Sequence, residues 1–186
     1  MSVIFPSQRG VTLIEVLVTI IILSVGLLGI AGLQSRLQTS EMEAYQRAQA
    51  LMLLNDMANR IATNRANAAN YVTGTASPLG VGGACPTTTA TRQQRDAGEW
   101  CAALQGAAET SSGASVGAMV GGRGCVESLG SGQYMVTVTW QGLTPLSAPP
   151  AGVACGANSY DGPAGSVCSN DRCRRVVTTI VRVATL

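Results

Sequence analysis

The sequence predicts an α+β protein, with one long N-terminal helix followed by a head built on β-strands and stapled loops. Three observations carry this expectation. No proline occurs between Pro6 and Pro78, and the apolar run RGVTLIEVLVTIIILSVGLLGIAG at 9–32 passes without a turn signal into QSRLQTSEMEAYQRAQALMLLNDMANRIATNRANAANY. QYMVTVTWQ at 133–141 and RRVVTTIVRVATL at 174–186 are runs rich in β-branched residues. All six cysteines lie beyond the apolar run.

MSVIFPSQRG, residues 1–10, is a short polar opening set against the apolar run, and it reads as a leader rather than part of a fold. Residues 11–33 are apolar around the whole helical circumference, long enough to cross a bilayer. Residues 34–70 are amphipathic: Leu37, Ala44, Leu51 and Ala58 recur every seventh position. Tyr45, Ala48, Met52 and Ile61 widen that stripe to an expected core-facing side. One helix from Val11 into the sixties would span roughly 80 Å. It would leave a lipid-like environment and then pack on a folded head, which residues 34–186 would form.

Residues 71–132 are rich in Gly, Ala, Ser and Thr, a composition that favours turns and irregular loop, ordered by disulfides. Residues 133–186 are expected to hold the sheet and its stapled loops. In QYMVTVTWQ, Tyr134, Val136, Val138 and Trp140 alternate with Met135, Thr137 and Thr139, as in a strand with one face to the core. LTPLSAPPAGVACGANSYDGPAGSVCSNDRC then forms a proline- and glycine-rich excursion between two strands.

Cys85, Cys101, Cys125, Cys155, Cys168 and Cys173 are even in number and confined to the part beyond the apolar run, which reads as disulfides in an oxidising compartment. A metal site fits less well. No C-x-x-C occurs, and no histidine is present to complete a ligand set. Six cysteines allow 15 pairings. Loop-closure entropy favours sequence neighbours: Cys85 with Cys101, Cys125 with Cys155, Cys168 with Cys173.

Composition narrows function further. The chain has neither histidine nor lysine, which removes His-centred acid–base chemistry, Ser-His-Asp and Cys-His arrangements and Ser-Lys dyads. No catalytic residue, metal or cofactor is expected, and the chain does not read as an enzyme. A formal charge of +2 with 12% charged residues gives no basic stripe, so nucleic acid is not an expected partner. NSYDG and SNDRC lack the ligand spacing of a calcium loop and read as turns.

Glu15 is the anomaly, a carboxylate just inside an apolar segment, where insertion scales assign a cost of about 2.5–3.5 kcal/mol at a helix centre. A cleavable secretory signal using Gly29-Ile30-Ala31 is too long and does not normally hold a glutamate. A plain anchor gives the carboxylate no use.

R-G-V-T-L-I-E-V-L-V closely resembles the processing site of type IV prepilins and type II secretion pseudopilins. The resemblance implies that a prepilin peptidase of the inner membrane cuts after Gly10 and methylates the new amine of Val11. It further implies that Glu15 meets the N-terminal amine of a neighbouring subunit during assembly, so that each charge satisfies the other. Gly26, Gly29 and Gly32 stand where the family's major subunits often carry a helix-breaking proline, and they suit either local melting or close helix packing.

Beyond the motif the chain is similar to the minor pilin PilV group in its LLNDMANRIATNR helix end, its cysteines and the YMVTVTW and RRVVTTIVRV strands. That similarity implies the type IV pilin fold, a long N-terminal helix packed on an antiparallel sheet with a disulfide-stapled C-terminal loop region. It implies a minor pilin that primes pilus assembly and sits at or near the tip, supporting piliation and twitching motility. Its partners would be other minor pilins, the major pilin and a candidate tip adhesin. The chain would lie in the inner membrane with a periplasmic head, then in the pilus at the cell surface. Two alternatives stay open: a minor pseudopilin of a type II secretion system, and a ligand- or DNA-binding head using Arg123, Arg172, Arg174 and Arg175.

Overall fold

The computed structural model describes residues 10–107, 110–112, 114–115, 117 and 119–184. The leader expected at 1–10 therefore lies outside the described residues apart from Gly10. Helix α1 runs from Leu13 to Thr63, within the proline-free stretch that permits it. It ends where the Asn64 amide donates to the carbonyls of Arg60 and Ile61, and the chain tightens into a 3₁₀ segment, Arg65–Tyr71. The chain divides into two compact units between Glu41 and Met42. In the first, residues 11–38 are all exposed.

In the second unit α1 buries Gln46, Ala50, Leu54, Met57 and Ile61. This corrects the expected stripe: Leu37, Ala44, Tyr45, Ala48, Leu51 and Met52 are exposed, and only Ile61 belongs to both sets. The helix carries apolar residues on two faces, and the face that packs includes the polar Gln46. A count of apolar periodicity therefore selects the wrong one.

The head's main sheet holds four antiparallel strands in the order β1-β4-β5-β6: Leu79–Gly80, Arg123–Gly130, Gln133–Gln141 and Arg174–Arg182. Two short strands, β2 at Thr110–Ser111 and β3 at Ala114–Ser115, pair separately. The link between β4 and β5 passes through Ser131 and Gly132, both at positive φ, as tight hairpins require. A Cβ on Gly132 would meet the Val183 carbonyl at 2.4 Å. Val126, Val136, Val138, Trp140 and Val181 join the packing residues of α1 in one core.

Two long elements appear between 71 and 132, where turns and irregular loop were expected: strand β4 and helix α2, Arg92–Leu104. Helix α2 opens on a capping box, with the Thr91 hydroxyl accepting from the Gln94 amide and the Gln94 side chain accepting from the Thr91 amide. Its buried residues, Asp96, Ala97, Trp100, Cys101 and Leu104, follow helical spacing. The Trp100 indole donates to the Leu53 carbonyl of α1 at 2.9 Å, tying the two helices together.

The expectation of one buried face on β5 also changes. Val136, Val138 and Trp140 face the core, yet Thr137 and Thr139 are fully buried on the opposite face. The excursion between β5 and β6 covers them. Cys155 is bonded to Cys125 of β4, which is paired with Thr137, and Gly156 lies against the Thr139 methyl. The other disulfides are Cys85–Cys101, which anchors α2, and Cys168–Cys173, which closes the return into β6. The result is a long N-terminal helix, an antiparallel sheet and a stapled loop region, the arrangement implied by the prepilin resemblance.

Candidate processing and assembly site

Gly10, Val11 and Thr12 precede the first turn of α1, so the Gly10–Val11 peptide lies in non-helical, exposed backbone. A Cβ placed on Gly10 would meet nothing within 4 Å, and its φ is not in the left-handed region. Neither space nor backbone conformation requires glycine here. Gly26, Gly29 and Gly32 are equally open.

Glu15 sits in the first turn of α1, where the helix dipole favours a carboxylate by about 0.3–1 kcal/mol. That is less than the cost of carrying the charge into an apolar environment. Its polar neighbours along the segment are satisfied locally: the Thr19 hydroxyl donates to the Val16 carbonyl at 2.8 Å and Ser24 to Ile20 at 2.7 Å. Glu15 has no partner among the described residues. Among the described residues, then, the carboxylate is exposed, held in the first turn of α1 four positions from Val11, and without a counter-charge.

The arginines expected to form a cationic loop group are mostly engaged in holding the fold. Arg123 stacks on the Tyr160 ring at 4.9 Å, and the Tyr160 hydroxyl donates to the Gly121 carbonyl. Burial pushes the Tyr160 phenol up from its ordinary pKa. Arg174 is buried, donating to the Val153 and Cys155 carbonyls and pairing with Asp171 at 3.0 Å. Arg175 pairs with Glu43 of α1. Arg172 alone of the four is exposed. In NSYDG and SNDRC, Asp171 accepts from the Asn158 amide and Asp161 accepts from the Asp171 amide, which is turn chemistry.

Two clusters have no signal in local sequence because they join distant segments. Arg60 of α1 pairs with Asp56, Asp96 and Glu99 at 2.9, 2.9 and 2.7 Å, while the Tyr71 hydroxyl donates to Asp96. Burial works to lower the Arg60 pKa, but the carboxylate partners more than offset it and hold the guanidinium above its ordinary value. Burial, and then the bond to Asp96, raise the Tyr71 pKa. The second cluster is a cleft of about 390 Å³ lined by Glu43, Ala44, Arg47, Trp140, Leu146, Arg175 and Val176. Among the described residues no group of three or more Cys, Asp or Glu side chains is placed to hold a metal ion.

Residues 5–31 match the family model described as the prokaryotic N-terminal methylation motif. No curated protein and no solved structure matches the chain. The match covers Gly10, Val11 and Glu15, and α1 is the one described helix long and apolar enough to cross a membrane.

Proposed function

We propose that this chain is a minor type IV pilin. It is cut after Gly10 by a prepilin peptidase, methylated at Val11, and drawn from the inner membrane into a filament, where it acts with other minor pilins and the major pilin to prime assembly at or near the tip. The observation that carries this reading is the methylation motif at 5–31 over a helix whose Glu15 carboxylate has no partner among the described residues. A second subunit's N-terminal ammonium would supply the missing counter-charge, and a charge pair of that kind is tolerable in an apolar core where either ion alone is not. In this role the protein does no chemistry of its own. Its head presents surfaces to neighbouring subunits and to a candidate tip adhesin.

The alternative with most support is a minor pseudopilin of a type II secretion system, since the N-terminal motif suits both machines. A DNA-binding head has less support, because Arg123, Arg174 and Arg175 are held by Tyr160, by Asp171 and backbone carbonyls, and by Glu43. Deletion of the gene separates the machines. Loss of surface pili and twitching with exoprotein secretion intact is expected. Intact piliation with failed secretion would move the protein to the secretion system.

A further inference from the structure

The cleft walled by Ala44, Trp140, Leu146 and Val176 has an uneven charge along its edge. Glu43 Oε1 accepts from the Leu143 amide, the Thr144 hydroxyl and the Arg175 guanidinium, at 3.2, 3.3 and 3.3 Å. Arg175 in turn donates to the Thr144 and Arg172 carbonyls at 2.6 and 3.2 Å, and the Leu146 amide donates to Arg172 at 2.8 Å. These bonds clamp residues 143–146 to α1 and to the start of β6, so the cleft is preformed. They also leave Glu43 and Arg175 neutralising each other. Arg47, one helical turn beyond Glu43, is exposed and has no hydrogen-bond or ion-pair partner among the described residues.

A volume of about 390 Å³ falls in the range of sites that accept a ligand group and exceeds a packing defect. The apolar wall selects an aliphatic or aromatic side chain, and a single free guanidinium with its fork of donors selects one carboxylate. Nucleic acid or a phosphate-rich lipid surface would call for several free cations in a row, and among the residues lining the cleft only Arg47 is a cation without a partner among the described residues. Leu146 and the nearby Leu143 are exposed, so the cleft opens on a surface that an extended peptide can reach.

We propose that this cleft is a docking site for a segment of a partner protein that presents an apolar side chain beside a carboxylate, the first filling the cleft and the second pairing with Arg47. The site lies wholly in the head and does not depend on the N-terminal motif.

The test pans a phage-displayed random heptapeptide library on the full chain in detergent micelles. The expected result is enrichment of peptides with Asp or Glu adjacent to Leu, Ile, Phe, Tyr or Trp. A synthetic copy of an enriched peptide is expected to shift the amide signals of residues 43–47, 143–146 and 175–176. Arg47→Glu should weaken it at least tenfold, while Arg65→Glu, an exposed charge outside the cleft, leaves it unchanged. Enrichment without a carboxylate, no enrichment at all, or equal binding by the Arg47→Glu chain overturns the proposal. Self-association of the chain that Arg47→Glu abolishes would place a second copy in the cleft and overturn it as well.

Discussion

The Trp100 ring lies directly over Gly124. A Cβ at position 124 would stand 2.2 Å from Cη2 and 2.7 Å from Cζ3 of the indole, which is fully buried. Strand β4 is bare at this point so that α2 can close on it, and the indole is fixed from behind by its bond to Leu53. Gly124→Ala is therefore expected to overpack the core, costing about 1–3 kcal/mol in chemical denaturation of the full chain in detergent. An unchanged midpoint would mean that the ring moves aside freely.

Gln46 is 1% exposed, and neither polar atom of its side-chain amide has a hydrogen-bond partner among the described residues. A buried polar group in that state costs about 1–3 kcal/mol. Gln46→Met keeps the length of the side chain and removes the unmet groups. It is expected to raise the melting temperature by about 2–4 °C per kcal/mol recovered. A lower melting temperature would show that the amide has a partner in solution.

Glu127 sets a pH dependence. One carboxylate oxygen is buried with no partner among the described residues, and burial raises the pKa of the group above its ordinary value. Between the unfolded pKa and the raised folded one, the folded chain binds more protons than the unfolded chain. Stability from this group is therefore complete below the ordinary range and declines as pH rises through the folded value. Glu127→Gln should flatten that decline in melting curves taken from mildly acidic to neutral pH, and should be at least as stable as the parent at neutral pH. A parallel decline in both proteins would assign the slope to other groups.

Glu15→Ala should leave the head folded and its three disulfides formed, since Glu15 is exposed and has no partner among the described residues. Retention in membranes should rise, because a charge has left the apolar segment. Recovery in sheared filaments should fall, and Glu15→Gln should be impaired as well, since it keeps the shape but not the charge. Normal recovery of the alanine variant in sheared pili would end the assembly role of this carboxylate.

How far the fold was legible in the sequence depends on the length scale of each signal. The long helix was readable because no proline interrupts residues 7–77, and β5 and β6 because β-branched residues cluster there. Helix α2 was hidden by the Gly, Ala, Ser and Thr around it, although Thr91 and Gln94 formed a readable cap. The packing face of α1 was misread because its periodicity runs through Gln46, a residue no apolar count includes. Burial on both faces of β5 depends on the Cys125–Cys155 link bringing the excursion across the sheet, a long-range fact. The processing motif is local and could be read directly. The cleft at Arg47 could not, because residues from α1, β5, the excursion after β5 and β6 meet there only in three dimensions.

The measurement closest to the central claim is the intact mass and N-terminal sequence of the chain recovered from sheared surface filaments of its own cells, with a strain lacking prepilin peptidase as comparison. The expected result is a chain beginning at methylated Val11 in the filament, and an unprocessed chain beginning at or near Met1 retained in the membrane of the comparison strain. A chain beginning at Gly32 would mean cleavage by an ordinary signal peptidase, would discard Glu15, and would contradict the account.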